Sequence, residues 1–357
     1  MYCIRIPLRV LFLFVFALAS AQQSPPNIIL MIGDGTGLSQ ITAGMYDNGN
    51  TSNYEEFPTI GLQKTHSDNA LVTDSAASGT AMACGVKTLN GVVGIDANNM
   101  AQPSILERCD EAGYTTGLIA TSSIVHATPA SFYAKVISRK QYQDIALQLS
   151  ESQVDYFIGG GKKHFTKRKD DRNLIDEMTD WTIVSSLRKF NNADSPRIGL
   201  FTHDDEPAPI AEGRKPKLNE AVDSMLDKLT TSERPFFLMV EGSQIDWGGH
   251  ANDLDYVLTE FADFNKAIGR AIAFVKENPN TLLVVTAHHE TGGLGLSGGN
   301  IKTFTPRGGF VTLGHTASMV PVFAMGKGAA SFAGIYENTA IFDKMLAVLQ
   351  QEENPEN

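Results

Sequence analysis

The sequence predicts an α/β protein, a three-layer sandwich with a mainly parallel central sheet. Three observations carry this. Several runs are apolar throughout rather than alternating, as strands buried on both faces are. Segments with helical spacing stand between them. At 357 residues the chain is long enough for one large domain of this kind.

The elements follow in chain order. Residues 1–21 read as a signal peptide: Arg5 and Arg9 precede an apolar run from Val10 to Leu18, and Ala19-Ser20-Ala21 fits the small-residue cleavage rule. The run is short for a bilayer span, and no later run is longer. The expectation is a periplasmic or secreted chain with no membrane segment after processing. "NIILMIG" (27–33) is a strand that ends at Asp34. "TTGLIAT" (115–121) is a second, leading through His126 and Thr128 to a helix from Pro129. "VDYFIGGG" (154–161) and "RIGLFT" (197–202) are two more. A helix over 218–229 places Leu218, Val222, Met225, Leu226 and Leu229 on one face. "PFFLMVEG" (235–242) is a strand carrying Glu241 at its end. A long amphipathic helix covers 254–275, with Leu258, Phe261, Ala262, Phe264 and Ile268 as core candidates. Strands at 281–287 and 320–326 and a helix near 339–350 complete the series.

The formal charge is −11, and it becomes more negative once Arg5 and Arg9 leave. This excludes a nucleic-acid-binding module, and the short run "KRKDDR" reads as a solvated loop. An acidic chain acting on anions needs cations in its site, which points to metals. After loss of Cys3, Cys84 and Cys109 remain and read as free buried thiols.

In open parallel sheets, ligands bind beyond the carboxyl ends of the strands. Asp34, Glu241, Asp246, His250, His288 and His289 fall there, and His315 lies just before the strand at 320. Each alone reads as a cap or a core residue; together they read as a shared metal site. Asp246 and His250 are four apart, so both can face one point. With a further histidine they form a zinc set that leaves room for substrate or water. Glu241, Asp34 and the Thr128 hydroxyl form an all-oxygen set that suits magnesium. In "VTDSAASGTAMACG" (72–85), Ser75 reads either as a helix N-cap or as a nucleophile at a helix N-terminus.

The motifs "GDG" around Asp34, "TDSAAS" around Ser75, "HATPA" (126–130), "SRK" (138–140), "EGSQID" through "GGH", "TAHHETGG" and "GHTA" (314–317) together resemble the alkaline phosphatases. The likeness covers nearly all of residues 22–357, read as one catalytic domain with a short inserted loop near 290–314. It implies hydrolysis of small phosphate monoesters through a phosphoserine on Ser75, with Arg139 binding the phosphate oxygens. It implies two zinc ions and one magnesium. Asp246, His250 and His315 would hold one zinc; Asp34, His289 and the Ser75 oxygen the other; Asp34, Thr128 and Glu241 the magnesium. Asp74 would orient Arg139 or fix the turn. A homodimer is the implied assembly. The chain departs from the family at His288, where an aspartate usually ligates the second zinc; His288 is taken as a ligand in its place. His126 and Trp247, beside the magnesium site, replace an aspartate and a lysine of some members. A related metal-dependent phosphodiesterase or sulfatase, or a weakly active phosphate-binding variant, are the alternatives.

Overall fold

The computed structural model describes residues 25–350. The signal-peptide reading at 1–21 lies outside them. Ten strands form the central sheet and four more form two small ribbons. In chain order they are β1 (Asn27–Gly33), β2 (Thr59–Lys64), β3 (Thr115–Ser123), β4 (Tyr156–Gly160), β5 (Thr182–Val184), β6 (Ile198–Phe201) and β7 (Phe236–Gly242). Then come β8 (Thr281–Thr286), β9 (Glu290–Thr291), β10 (Gly295–Asn300), β11 (Thr305–Gly309), β12 (His315–Thr316), β13 (Val320–Gly326) and β14 (Gly334–Glu337). The sheet order is β14-β2-β13-β8-β1-β7-β3-β4-β6-β5. From β8 to β5 all neighbours are parallel. β13 runs antiparallel to both β8 and β2.

The apolar strands form the sheet centre because both of their faces are covered. Ile28, Leu30 and Ile32 of β1 join a core with Met82, Ile105, Met345 and Val348, from the helices Ser75–Cys84, Ile105–Glu111 and Ala340–Gln350. Ile29 and Met31 point the other way, into a core with Met225, Leu229, Phe261 and Phe264, from the helices Leu218–Thr230 and Leu254–Glu277. This period-two division gives the three layers expected. All five apolar positions read on the helix at 218 are buried; on the helix at 254, Ala262 is only half-buried.

Two expectations differ in detail. The helix expected from Pro129 is a single turn, Ala127–Ala130, with Pro129 inside its first turn. The expected edge of the sheet also extends further: β2, β5 and β14 are short, partly exposed strands without an apolar run. Cys84 and Cys109 are free and buried, and burial pushes the Cys84 thiol up to about 12.

Candidate metal and phosphate site

Register brings the acids together. Ile32 pairs with Glu241 and Gly33 with Gly242 across β1 and β7. Asp34 therefore leaves β1 beside Glu241, and β8 on the other flank leads to His288 and His289. The turn after Asp34 is tight. Gly35 has φ +71, and a Cβ there would lie 2.6 Å from the Asp246 Cα and 2.9 Å from Thr291 Oγ1. Only glycine lets this turn approach the segment that carries Asp246.

Two donor clusters result. In one, Asp246 and His250 lie on the helix Gln244–His250 and His315 on β12. His250 Nε2 lies 3.4 Å from Asp246 Oδ2, and His315 Nε2 lies 3.6 Å from Asp246 Oδ1. The two Nε2 atoms are 3.2 Å apart. Donors around a tetrahedral zinc with ordinary bond lengths stand about 3.3 Å apart, so the cluster has the dimensions of a zinc site. In the other, Asp34 Oδ1 lies 3.5 Å from His288 Nε2 and 3.4 Å from His289 Nε2. His289 Nε2 in turn lies 3.2 Å from Ser75 Oγ. Asp34 Oδ1 is buried without a hydrogen-bond partner. A buried carboxylate oxygen in that state is one a cation would satisfy.

Electrostatics agree. Burial pushes the Asp34 carboxyl well above the usual range, with the charges of Asp246 and Glu241 adding to the effect and that of Arg139 opposing it. Burial also raises Glu241, against hydrogen bonds from Ser243 and Thr128. Burial holds His288 and His289 well below the ordinary imidazole value, with His315 adding to it, so both rings are neutral. Neutral imidazoles and crowded carboxylates are the state a divalent cation binds. Glu241 accepts from Ser243 Oγ at 2.7 Å and from Ser122 Oγ at 3.4 Å. Thr128 also hydrogen-bonds Glu241, and the Glu241 charge acts on Asp34.

Ser75 is the first residue of a helix whose ten residues are all buried. It is not the N-cap. Asp74 caps the helix, accepting from the Ala77 N–H at 3.0 Å with Oδ1. Its other oxygen receives Arg139 Nη1 at 3.1 Å. Asp74 thus fixes the turn and orients Arg139 together, and the Ser75 hydroxyl is left free for the site. Arg139, half-buried, lies close enough for its charge to act on Asp34, His288 and His289.

His126 and Trp247 are neighbours, with ring centroids 6.0 Å apart. His126 Nε2 also faces Glu206 Oε1 at 3.1 Å. Glu206, in the loop after β6, escaped the sequence reading. Thr291 escaped it too: its hydroxyl donates to Asp246 Oδ1 and lies 3.3 Å from His289 Nδ1. Its position two residues after the histidine pair was the available signal.

The family model "Alkaline phosphatase" matches residues 26–308. Alkaline phosphatase 4 of Bacillus subtilis is 38% identical over 299 residues, which cover 78% of this chain and 64% of that protein. Alkaline phosphatase 3 of the same organism is 32% identical, with 92% of this chain and 90% of that protein covered. The solved alkaline phosphatase of the Antarctic bacterium TAB5 is 43% identical, with a TM-score of 0.88 over 92% of this chain and 99% of that one. A histidine-to-glutamate variant of that enzyme has magnesium bound in its M3 site.

Proposed function

The chain belongs to the alkaline phosphatase family, and we propose that it hydrolyses phosphate monoesters through a phosphoserine on Ser75. The observation that carries this is the place of the Ser75 hydroxyl. It stands at a buried helix N-terminus, 3.2 Å from His289 Nε2, with Arg139 held nearby by Asp74. The donor sets fit two zinc ions, one at Asp246, His250 and His315 and one at Asp34 and His289 with His288 beside them. Asp34, Thr128 and Glu241 fit a magnesium ion. When bound, these cations supply the Lewis acidity that makes a serine oxygen nucleophilic at neutral pH and spreads the charge of the leaving oxygen.

The chain supplies the rest. The Arg139 fork binds two phosphate oxygens of a monoester dianion and turns the phosphorus toward Ser75. The helix N-terminus favours the developing negative charge. Ser75 Oγ attacks phosphorus, the ester oxygen leaves on the opposite side, and water later attacks the phosphoserine to release phosphate. The apolar run at 10–18 supports export to the periplasm or medium. Among the described residues no helix is long and apolar enough to cross a membrane.

The test is Ser75→Ala. The parent should give a burst of alcohol and a labelled Ser75 when quenched in acid, and the variant neither. Hydrolysis at the parental rate in Ser75→Ala would sink the proposal. Nitrophenyl phosphate should be cleaved faster than its methyl diester or the sulfate.

A further inference from the structure

The four imidazoles of the two clusters differ in how their second nitrogen is held. His250 Nδ1 lies 2.6 Å from the Leu313 carbonyl oxygen, and His315 Nδ1 lies 2.8 Å from that of Thr73. A carbonyl only accepts, so both rings carry their proton on Nδ1 and present a bare Nε2 to Asp246. That is the tautomer a metal requires, fixed in advance. His289 Nδ1 has Thr291 Oγ1 at 3.3 Å.

His288 has no such support. It is fully buried, with its Nε2 3.3 Å from Thr128 Oγ1 and 3.5 Å from Asp34 Oδ1. Its Nδ1 has no hydrogen-bond partner among the described residues. To offer a bare Nε2 to a cation, the ring must carry its proton on Nδ1, where the buried N–H pairs with nothing. The opposite tautomer aims Nε2–H at Asp34 and Thr128, which leaves Nε2 no lone pair for a cation.

We propose that the site of Asp34, His288 and His289 holds its cation loosely, and that the unsupported ring of His288 is the cause. The site of Asp246, His250 and His315 is the tight one. This rests on the two-zinc reading above. Loss of a partner that orients a ligating histidine costs roughly 10–100-fold in metal affinity, and that is the gap expected between the sites. The preferred ions are borderline divalent cations such as zinc or cobalt, since the donor set includes two imidazoles.

The experiment titrates the metal-free full-length protein with Zn2+ against a chromophoric chelator, and with Co2+ followed by visible absorption. Two classes of site should appear, at least about tenfold apart. His250→Ala should remove the tight class and spare the weak one. In His288→Asp the weak class should tighten by roughly 10–100-fold while the tight class stays unchanged. Two sites of equal affinity in the parent would overturn the proposal, and that measurement requires no variant to fold. A His288→Asp protein with native circular dichroism and an unaltered weak class would overturn it as well. A parent that takes up fewer than two zinc ions at any concentration would instead overturn the two-zinc reading on which it rests.

Discussion

At the scale of single residues, Asp74 has two tasks that substitution can separate. Asparagine caps a helix as well as aspartate does, but it carries no charge for Arg139. Asp74→Asn should keep the thermal midpoint close to the parent and weaken inhibition by free phosphate. Asp74→Ala should lose the cap as well, costing about 1 kcal/mol in denaturant melts. Equal phosphate inhibition in all three proteins would remove Asp74 from the site. Arg139→Ala should lower kcat/KM by at least about tenfold, the loss of one charge-assisted hydrogen bond at about 1.5 kcal/mol, and by more if both bonds to phosphate go. His126→Asp should hold magnesium longer against chelator, because it would set a second carboxylate beside Glu206 and near Glu241. Magnesium content after timed dialysis measures this, and identical loss from both proteins would reduce His126 to a packing residue. The candidate ligands were legible in the sequence because acids and imidazoles at strand ends are costly without a cation. The carbonyls of Thr73 and Leu313 were not, since every residue has a carbonyl and only the fold selects which one meets a ring.

At the scale of elements, the helix that begins at Ser75 is placed by what it lacks. A Cβ on Gly79 would lie 2.8 Å from Ser131 Oγ and 3.7 Å from the Thr128 Cα. Gly79→Ala should therefore push this helix away from the turn that carries Thr128. The expected loss is about 1–3 kcal/mol in urea unfolding, with faster release of magnesium. Adding Ser131→Ala removes the clashing oxygen and should restore part of both. A Gly79→Ala protein as stable as the parent would mean that the two elements are not in firm contact. The same packing explains which elements the sequence revealed. Strands buried on both faces, such as β1, β7 and β8, have no choice but a continuous apolar run. β2 exposes Ile60 and Lys64 and buries a polar Gln63, whose amide donates to Thr286 Oγ1 and the Ala287 carbonyl, so it gives no such signal. The direction of β13 was equally hidden, because a buried strand is apolar whichever way it runs.

At the scale of the molecule, the sheet gathers Asp34, Glu241 and Asp246 into one buried region, and the cations must offset that repulsion. In the metal-free protein the raised carboxyls of Asp34 and Glu241 contribute stability that is present at low pH and lost as pH rises through their folded values. The depressed His288 and His289 act oppositely, but only below about pH 6.5, where the unfolded rings begin to take up protons. Where the two carboxyls keep their protons in the folded chain, metal must displace them. Chelation should therefore lower the melting temperature, and the gap between loaded and stripped protein should widen as pH rises through the range in which these carboxyls lose their protons. A gap that stays constant with pH would show that these carboxyls are already ionised without metal. The hairpin of β10 and β11 stands apart from all this. Its base is closed by the β9–β12 pair, His315 to Thr291 and Thr316 to Glu290, and by Glu290 accepting from the Gly293 and Leu294 N–H groups. The exposed tip at Ile301 lies beyond that clasp. Each doubling of a loop costs only about 0.6 kcal/mol. The tip is therefore a port for grafted sequence, where an epitope or a binding peptide could ride on the enzyme while the clasp keeps the strain of its cargo from His315.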